Sequence, residues 1–317
     1  MQTLRLHLHS TPQQVPCVAT IGFFDGVHLG HKFLIDRVRQ EATEMQMAST
    51  VITFSEHPRQ VLQAGYVPEL LTTLDDKLCR LEQTGIDRAV VLQFSREMAR
   101  LSAREFMQEV LQKRLNVKKL IIGYDNRFGH NRTEGFDDYV RYGRELGIEV
   151  VHHAAFKLHD ISVSSSVIRS LLHKGEVETA ALCLGHPYAI KGTVVPGVQQ
   201  GRRMGFPTAN IDVSAFHLLV PANGVYAVKA TVEGQHQTLP AMMNIGMRPT
   251  FNGTHITIEA HMINFNQDLY GKTLTLSFMH RIRQEQKFES VHALMKQLQA
   301  DRQMVIEQFK KEQNNNE

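Results

Sequence analysis

The sequence predicts two domains, a doubly wound α/β domain followed by an antiparallel β-barrel. In the first half, short apolar runs alternate with amphipathic stretches, as in a parallel sheet with helices on both faces. After about residue 185, Pro, Gly and β-branched residues increase and short strands follow one another without helices, as in a barrel or sandwich. A length of 317 residues suits two domains. We therefore predict domains at 1–184 and 185–317.

In the first domain, five strands alternate with four helices. The strands are expected at 15–21, 50–54, 88–94, 118–123 and 149–153. The helices are expected near 30–45, 74–84, 102–115 and 136–146. Ser102 followed by Glu105 is a capping-box pattern at the start of the third helix. Ligands of such sheets bind outside the carboxyl ends of the strands, so the loops that follow the strands are the candidate sites.

The second half predicts a barrel that ends in a helix. Its strands are expected at 188–195, 224–232, 237–244, 255–265 and 273–281. The last helix, about 290–309, has apolar residues with a helical period, so we expect it to pack on the barrel. A helical stretch at 168–185 is expected to join the two domains.

Composition excludes several classes of protein. Charged residues are 21%, hydrophobic residues are 42% and the net charge is only +3, which does not favour a nucleic-acid partner. We see neither a signal peptide nor an apolar run that would span a bilayer. Three widely separated cysteines without a C-x-x-C pair are typical of idle thiols in a reducing cytoplasm. We expect a cytoplasmic protein with no membrane partner.

The most informative segment is Gly22–His31, Gly-Phe-Phe-Asp-Gly-Val-His-Leu-Gly-His, which follows the first buried strand. Glycines allow close approach to an anion, and the helix that begins there offers unpaired N–H groups. His28 and His31 lie one helical turn apart and can both reach one triphosphate. The pattern is neither Walker A nor G-x-G-x-x-G, and it indicates nucleotidylyl transfer. Asp25 is expected to orient the turn or to support a Mg²⁺ site.

An isolated H-x-x-H pair often has a structural role and not a phosphate-binding one. His28 alone can be a helix-capping histidine. A second segment, Val163–Arg169, places three hydroxyls and an arginine at a helix start, where they suit phosphate. A capped helix with a solvated Arg169 is the alternative there. The loops Thr53–Leu62 and Gly123–His130 leave the second and fourth strands and should also lie at the ligand edge.

The barrel half contains a loop rich in glycine and arginine at 192–210. Glycines and an Arg pair suit polyphosphate, although a hairpin loop is the alternative. Thr208 and Asn210 are two residues apart and would face the same way in an extended segment, so both oxygens can bind one Mg²⁺. Glu259 lies on the polar face of a strand, where it is either a proton acceptor or a solvated residue.

These residues together resemble the prokaryotic bifunctional riboflavin kinase/FAD synthetase family. Four blocks of the first half look like its adenylyltransferase domain: Gly22–His31, Thr53–Leu62, Gly123–Gly129 and Val163–Arg169. Three blocks of the second half look like its kinase domain: Gly205–Asn210, Asn244–Phe251 and Asp268–Gly271. The resemblance covers nearly the whole chain in the family's domain order, and the Pro-Thr-Ala-Asn block is more specific than the first block.

The resemblance implies two ATP-dependent steps, phosphorylation of riboflavin to FMN with release of ADP, and adenylylation of FMN to FAD with release of pyrophosphate. Phosphoryl chemistry implies Mg²⁺ with ATP, and Mn²⁺ is the alternative. By the same mapping, His28, His31 and Glu259 are the catalytic residues. The implied ATP contacts of the first domain are Gly22, Phe23, Asp25, His28, Gly30, His31, Ser164, Ser165 and Arg169. Its implied flavin or nucleotide contacts are His57, Pro58, Asp125 and Arg127.

For the kinase domain, the implied ATP contacts are Gly192, Gly201, Arg202, Gly205, Pro207, Thr208 and Asn210, with Thr208 and Asn210 on the metal. The implied flavin contacts are Asn244, Arg248 and Tyr270. Two positions depart from the family: Asn126 replaces the usual aromatic residue or His, and Val167 replaces a common basic residue.

Two other functions compete with the bifunctional enzyme. One is a riboflavin kinase whose first domain is a weak or specialised nucleotidylyltransferase, since both departures lie there. The other is a non-catalytic flavin sensor. The His28/His31 pair and Glu259 argue against a sensor, because a sensor needs no transfer residues.

Overall fold

The computed structural model describes residues 1–124, 126–130, 133–197, 201, 205–235, 237–250 and 253–314, with only the backbone at 248–250, 253–255 and 312–314. The chain forms two compact units. The first contains Met1–Pro68 and Thr72–Ser165, and the second contains Glu69–Leu71 and Ser166–Glu317. The boundary predicted at 184/185 stays a prediction.

The first unit is built on a six-stranded parallel sheet. Its strands are β1 (Gln2–Leu6), β2 (Cys17–Ile21), β3 (Ala48–Phe54), β4 (Arg88–Leu92), β5 (Val117–Gly123) and β6 (Glu149–His153). Their order is β1-β4-β3-β2-β5-β6, and every pair is parallel. The expected count of five strands was wrong. The extra strand, β1, lies at the edge of the sheet and is not fully buried, so it lacks a continuous apolar run.

Four helices alternate with strands β2 to β6 as predicted, and one further short helix, at Pro58–Leu62, was not predicted. They are α1 (Leu29–Glu44), α2 (Pro58–Leu62), α3 (Leu74–Glu82), α4 (Ala103–Phe106, continued by a π-helical stretch at Met107–Gln112) and α5 (Phe136–Leu146). The capping box at the start of α4 is confirmed, because Ser102 Oγ accepts from Glu105 N and the Glu105 carboxylate accepts from Ser102 N. A short hairpin of β7 (Lys157–Leu158) and β8 (Ile161–Ser162) follows β6.

Both faces of the sheet are covered, which confirms the doubly wound arrangement. Val18 of β2 packs with α1 and α3, through side chains that include Ile35 and Leu81. The neighbouring residue, Ala19, packs on the opposite face with α4 and α5. Alternation along one strand therefore places successive side chains in two different hydrophobic cores.

The sheet has a switch point between β2 and β5. From β2 the chain adds β3 and β4 on one side, and it then returns to add β5 and β6 on the other. A crevice forms outside the carboxyl ends of the two strands at such a point. The loops that leave β2 and β5 begin at Gly22 and Tyr124, so both open into this crevice.

The second unit is a closed antiparallel barrel preceded by α6 (Ser165–Lys174) and α7 (Val177–Leu184). Its strands are β9 (Ala189–Val195), β10 (Ala209–Asp212), β11 (Gly224–Val232), β12 (Thr238–Thr250), β13 (Gly253–Met262) and β14 (Thr273–Arg283). They close in the order β10-β13-β12-β11-β14-β9. The sequence did not predict β10, which has only four residues.

A terminal helix, α8 (Val291–Asn314), packs on the barrel, and it ends later than predicted. Val225 and Ala227 of β11 lie in one apolar cluster with Val305 of α8. Since side chains alternate along a strand, Tyr226 and Val228 point into the barrel. An ion pair with a buried carboxylate also holds the helix, because Arg283 Nη2 donates to Asp301 Oδ2 at 2.8 Å.

A segment distant in sequence completes the second unit. Leu70 pairs in parallel with Leu218. Its N–H donates to His217 O at 3.0 Å, and its carbonyl accepts from Leu219 N at 2.9 Å. Residues 69–71 therefore join the second unit through a single β-bridge.

Among the residues that the structure describes, no helix has both the length and the apolar character needed to cross a membrane.

One glycine of the first unit gives a test of the fold. Gly129 has φ +94°, and a Cβ there would lie 2.6 Å from Ala103 N. We expect Gly129→Ala to lower the free energy of unfolding by about 2 kcal/mol or more, because a strained backbone and a clash with main chain add together. Urea unfolding can be followed through labelling of Cys17, which is buried in this unit.

Gly123→Ala is the matched control, since its Cβ would meet only Leu34 Cδ2 at 3.7 Å. Equal stability losses for the two variants would contradict the conformation described at Gly129.

Candidate active sites

The turn after β2 has an unusual backbone. Phe24, Gly26 and Val27 have φ of 54°, 82° and 41°. Only glycine adopts this region at little cost, so Phe24 and Val27 are strained. Strain of this kind persists where surrounding contacts impose it, and it is found most often at functional sites.

Buried polar contacts impose this conformation. Asp25 is only 3% exposed, and its Oδ1 accepts from Thr72 N at 3.1 Å and from Thr72 Oγ1 at 3.3 Å. Thr72 Oγ1 in turn accepts from Gly26 N at 3.1 Å. Ser165 Oγ donates to the Asp25 carbonyl at 3.1 Å. These bonds orient the turn through its backbone and leave the Asp25 carboxylate facing Thr72.

The two histidines of the turn are stacked. Their ring centroids are 3.6 Å apart and the ring planes differ by 16°. His28 Nδ1 accepts from His31 N and caps α1, so the proton of a neutral His28 ring is on Nε2. Capping and a phosphate contact use different nitrogens of this ring, so the two interpretations of His28 are compatible.

His31 is held in its neutral form. Burial lowers the pKa of His31 well below its usual range, and repulsion from His28 and Lys77 lowers the pKa further. Its Nδ1 atom is buried and has no hydrogen-bond partner among the described residues. A neutral imidazole carries one N–H, so His31 can donate one hydrogen bond to an anion without carrying charge of its own.

Lys77, which the sequence motifs did not indicate, connects the turn to β3. Its buried ammonium donates to Phe23 O at 3.1 Å, Thr53 Oγ1 at 3.1 Å and Phe54 O at 3.2 Å. Burial lowers the pKa of Lys77 to about 8, and the nearby Asp25 carboxylate opposes this shift. A signal was available, because Lys77 interrupts the apolar stripe of α3.

A cavity of about 660 Å³ opens beside the turn in the first unit. Its wall includes sequence-predicted residues, namely Gly22, Phe23, His57, Pro58 and Arg127, together with Asn126. The rest is largely apolar, including Phe54 and Phe128. The volume and the mixed wall are typical of a small-molecule site.

Two residues of this wall also have structural contacts. His57 Nδ1 accepts from Arg59 N and caps α2. Asn126 Nδ2 donates to Ile21 O, so the residue that departs from the family binds the end of β2. Asp125 lies outside the described residues.

The remaining predicted phosphate contacts are only partly brought together. Gly30 allows close packing, since a Cβ there would lie 3.0 Å from Val163 O. Ser164 directly precedes α6. Arg169 Nε donates to the Glu69 carbonyl at 2.8 Å. A role of these side chains in phosphate binding stays a prediction.

In the second unit, three predicted residues lie side by side on neighbouring strands. Glu259 of β13 is opposite Asn210 of β10 and opposite Asn244 of β12. Directly opposed residues point to the same face of a sheet. Thr208 Oγ1 donates to Glu259 Oε2 at 3.4 Å. The predicted proton acceptor, Glu259, is thus in contact with Thr208, a predicted metal residue.

Two cavities meet at Thr208. One, of about 330 Å³, contains Glu259 and Asn244 and has an apolar wall of Phe206, Met242 and Leu298 among others. The other, of about 580 Å³, contains Pro207, Asp268 and Tyr270. Tyr270 therefore lies in a different cavity from Asn244, although the resemblance implies flavin contacts for both.

The loop glycines have different surroundings. A Cβ at Gly192 would lie 2.8 Å from Asp212 O, so close packing of β9 on β10 already requires glycine there. A Cβ at Gly201 would collide with Phe206 O. Gly205 has φ +80° and open space beside it. Arg202 lies outside the described residues, and Arg248 is described only in its backbone.

The donor atoms near Glu259 fit a hard cation. Thr208, Asn210 and Glu259 offer hydroxyl, amide and carboxylate oxygens, the ligand types that Mg²⁺ prefers. The Asn210 amide lies against Gly197. Within the described ranges no cluster of three His, Cys, Asp or Glu residues could hold a metal ion.

Comparisons with known proteins agree with this geometry. Residues 10–167 match the family model described as FAD synthetase, and residues 184–309 match the one described as riboflavin kinase. The chain thus combines a nucleotidyltransferase unit with a flavin-kinase barrel.

Curated relatives identify the family. The bifunctional riboflavin kinase/FMN adenylyltransferase of Escherichia coli is 36% identical over 296 residues, 93% of this chain and 94% of the relative. The enzyme of that name from Bacillus subtilis is 36% identical over 304 residues, 94% of each chain. The chain belongs to the bifunctional riboflavin kinase/FMN adenylyltransferase family.

A solved structure supports the fold. A crystal structure described as a macrolide-efflux protein from Streptococcus pneumoniae has a TM-score of 0.86 at 30% identity, covering 96% of this chain and 99% of that one. That description names an activity different from the one in the names of the sequence relatives.

The pKa of Lys77 gives a test of the first site. Its folded pKa of about 8 lies below the usual 10.5, so the unfolded chain binds more protons between these values and stability rises with pH there. Relative to Lys77→Met, the wild-type free energy of unfolding should gain roughly 1 kcal/mol for each pH unit across this window.

Urea unfolding monitored by Cys17 labelling at several pH values measures this difference, and Cys183, buried in the second unit, serves as the internal control. A difference that stays constant with pH would show that Lys77 titrates normally.

Proposed function

We propose that the barrel unit transfers the γ-phosphoryl group of ATP to riboflavin and that the first unit transfers the adenylyl group of ATP to FMN. The observation that carries the kinase assignment is the position of Glu259, in contact with Thr208 and in register with Asn210 and Asn244. Family membership supports both activities.

In the kinase step, Glu259 accepts the proton of the terminal ribityl hydroxyl. The oxygen of that hydroxyl attacks the γ-phosphorus of ATP. The bond to the bridging oxygen breaks, and ADP leaves. Thr208 and Asn210 would hold Mg²⁺ through their oxygens, and that ion would neutralise phosphate charge. The remaining protein contribution is alignment of the hydroxyl with the phosphate.

The two cavities of the barrel unit suggest where each substrate binds. We assign riboflavin to the smaller cavity, because its apolar wall suits an isoalloxazine and Glu259 and Asn244 belong to it. ATP is assigned to the larger one, which contains Pro207 and Tyr270. Tyr270 would then contact the nucleotide rather than the flavin. Thr208, shared by both cavities, lies where the reacting groups meet.

In the adenylylation step, a phosphate oxygen of FMN attacks the α-phosphorus of ATP and pyrophosphate leaves. No proton acceptor is required, so the protein aligns the reactants and stabilises developing charge. His28 through Nε2–H and neutral His31 are assigned to the phosphates. On the resemblance, Gly22, Phe23, Gly30, Ser164, Ser165 and Arg169 stay assigned to the same ATP. Asp25 is assigned to the orientation of the turn.

The cavity of the first unit is the proposed site for the flavin of FMN. His57, Pro58 and Arg127 belong to its wall, and the aromatic side chains there offer stacking surfaces. Asp125 stays assigned to flavin or nucleotide on the resemblance alone. Asn126 contacts the backbone of β2, a role that does not require an aromatic ring, so the departure does not favour an inactive domain.

The proposal also includes Mg²⁺ as the metal that accompanies ATP and the cytoplasm as the location. Three free cysteines, two of them buried, support a reducing compartment. The kinase-only enzyme and the sensor are not favoured by any specific contact.

The first test is Glu259→Gln. The amide cannot accept the hydroxyl proton, so we expect FMN formation to fall at least about 100-fold, while FMN supplied directly is still converted to FAD. Flavins separated over time after incubation with ATP and Mg²⁺ measure both steps. Glu233→Gln, an exposed barrel residue, is the control. Undiminished phosphorylation in Glu259→Gln would refute the assigned role.

The converse test is His31→Gln, which should reduce FAD formation from FMN roughly 100-fold and leave riboflavin phosphorylation unchanged. Loss of one hydrogen-bond donor to the transition state is the reason. His9→Gln, at an exposed histidine of the same unit, is the control, and pyrophosphate release is the measurement. Parallel loss of both activities would point to misfolding instead.

A further inference from the structure

His261 is a buried residue of the barrel that the proposed mechanism does not use. It lies two residues after Glu259 on β13, so both side chains point to the same face. It is 7% exposed and belongs to the wall of the smaller cavity. Its ring meets Phe206 edge-on, with centroids 5.4 Å apart.

The ring has a defined hydrogen bond. His261 Nδ1 lies 2.8 Å from the Pro207 carbonyl oxygen. A carbonyl only accepts, so Nδ1 carries the hydrogen whether the ring is neutral or charged. In the neutral ring, Nε2 is the nitrogen without a proton.

The acceptor of this bond directly precedes a reacting group. Proline has no N–H, so the carbonyl is the only backbone group through which Pro207 can be held. The next residue, Thr208, donates to Glu259 Oε2, and regular pairing with β13 starts only at Ala209. Pro207 and Thr208 thus lie outside the ladder, and side chains of β13 hold both.

We propose that His261 is a positioning residue for phosphoryl transfer: its Nδ1–H holds the Pro207 carbonyl and thereby keeps the Thr208 hydroxyl at the Glu259 carboxylate. The proposal rests on the proposed kinase function. The ring does not exchange a proton with substrate. Instead, the ring fixes the distance between two other side chains. These are Thr208, which is assigned to ATP and the metal, and Glu259, which is assigned to the riboflavin hydroxyl.

Two amide substitutions separate this role from direct catalysis. The amide nitrogen of His261→Asn lies near the place of Nδ1, whereas that of His261→Gln reaches toward the place of Nε2. We expect His261→Asn to keep the kcat of riboflavin phosphorylation within about threefold of wild type. His261→Gln should lose roughly tenfold to hundredfold in kcat, with the KM for riboflavin nearly unchanged.

Three further measurements distinguish a positioning role of His261 from a merely structural one. Riboflavin binding without ATP, followed by flavin fluorescence, should be retained in both variants. FMN adenylylation and the labelling of Cys183 in urea report the folding of each unit. A merely structural role of His261 would lower stability and flavin binding together, without the difference between Asn and Gln.

Other results would overturn the proposal. Activity kept by Gln and lost by Asn would make Nε2 a group that acts on substrate. Equal loss in both variants, or no loss in either, would show that the bond to Pro207 does not set the rate. Failure of the wild-type chain to phosphorylate riboflavin would refute the proposed function itself, independently of either variant.

Discussion

The first site depends on one constraint, the left-handed backbone of the turn that follows β2. Phe24 and Val27 would not adopt it alone, and three side chains from elsewhere in the unit impose it. Thr72 binds the Asp25 carboxylate, Ser165 binds the Asp25 carbonyl, and Lys77 binds the Phe23 carbonyl. The same constraint brings the rings of the two histidines into contact and buries His31, so its low pKa is a consequence of how the turn is held. The contacts that fix the backbone of the turn therefore also fix the charge state of His31 and the hydrogen bonds that it can make.

In the barrel, strand register positions the side chains of the candidate site. Glu259 obtains its neighbours from two adjacent strands, and the loop that carries Thr208 is attached to the same strand through a carboxylate and an imidazole. A closed barrel fixes register more firmly than an open sheet, because no strand can shift alone. Residues that come from distant parts of the sequence can therefore remain in contact without any loop being rigid by itself.

Local patterns were enough to predict the alternating α/β unit, the barrel, the capping box at Ser102 and the segment around His28, because each depends on neighbours along the chain. The features that the sequence did not predict depend on partners that are distant along the chain. Lys77 and Thr72 matter through the turn more than forty residues earlier, and His261 through Pro207. The edge strand β1 is set by pairing with β4, not by its own composition. Asn244 and Tyr270, both implied as flavin contacts, line different cavities, because resemblance says which residues recur but not which surface they share.

The bridge at Leu70 makes the second unit discontinuous in sequence. A gene fragment that starts at residue 166 would encode every strand of the barrel but not residues 69–71. The N–H of Leu219 and the carbonyl of His217 would then lose their partners, and a backbone group without a partner costs free energy where it is buried. A barrel excised at residue 166 is thus expected to be less stable than the same barrel in the full chain, and an isolated version needs a replacement for residues 69–71.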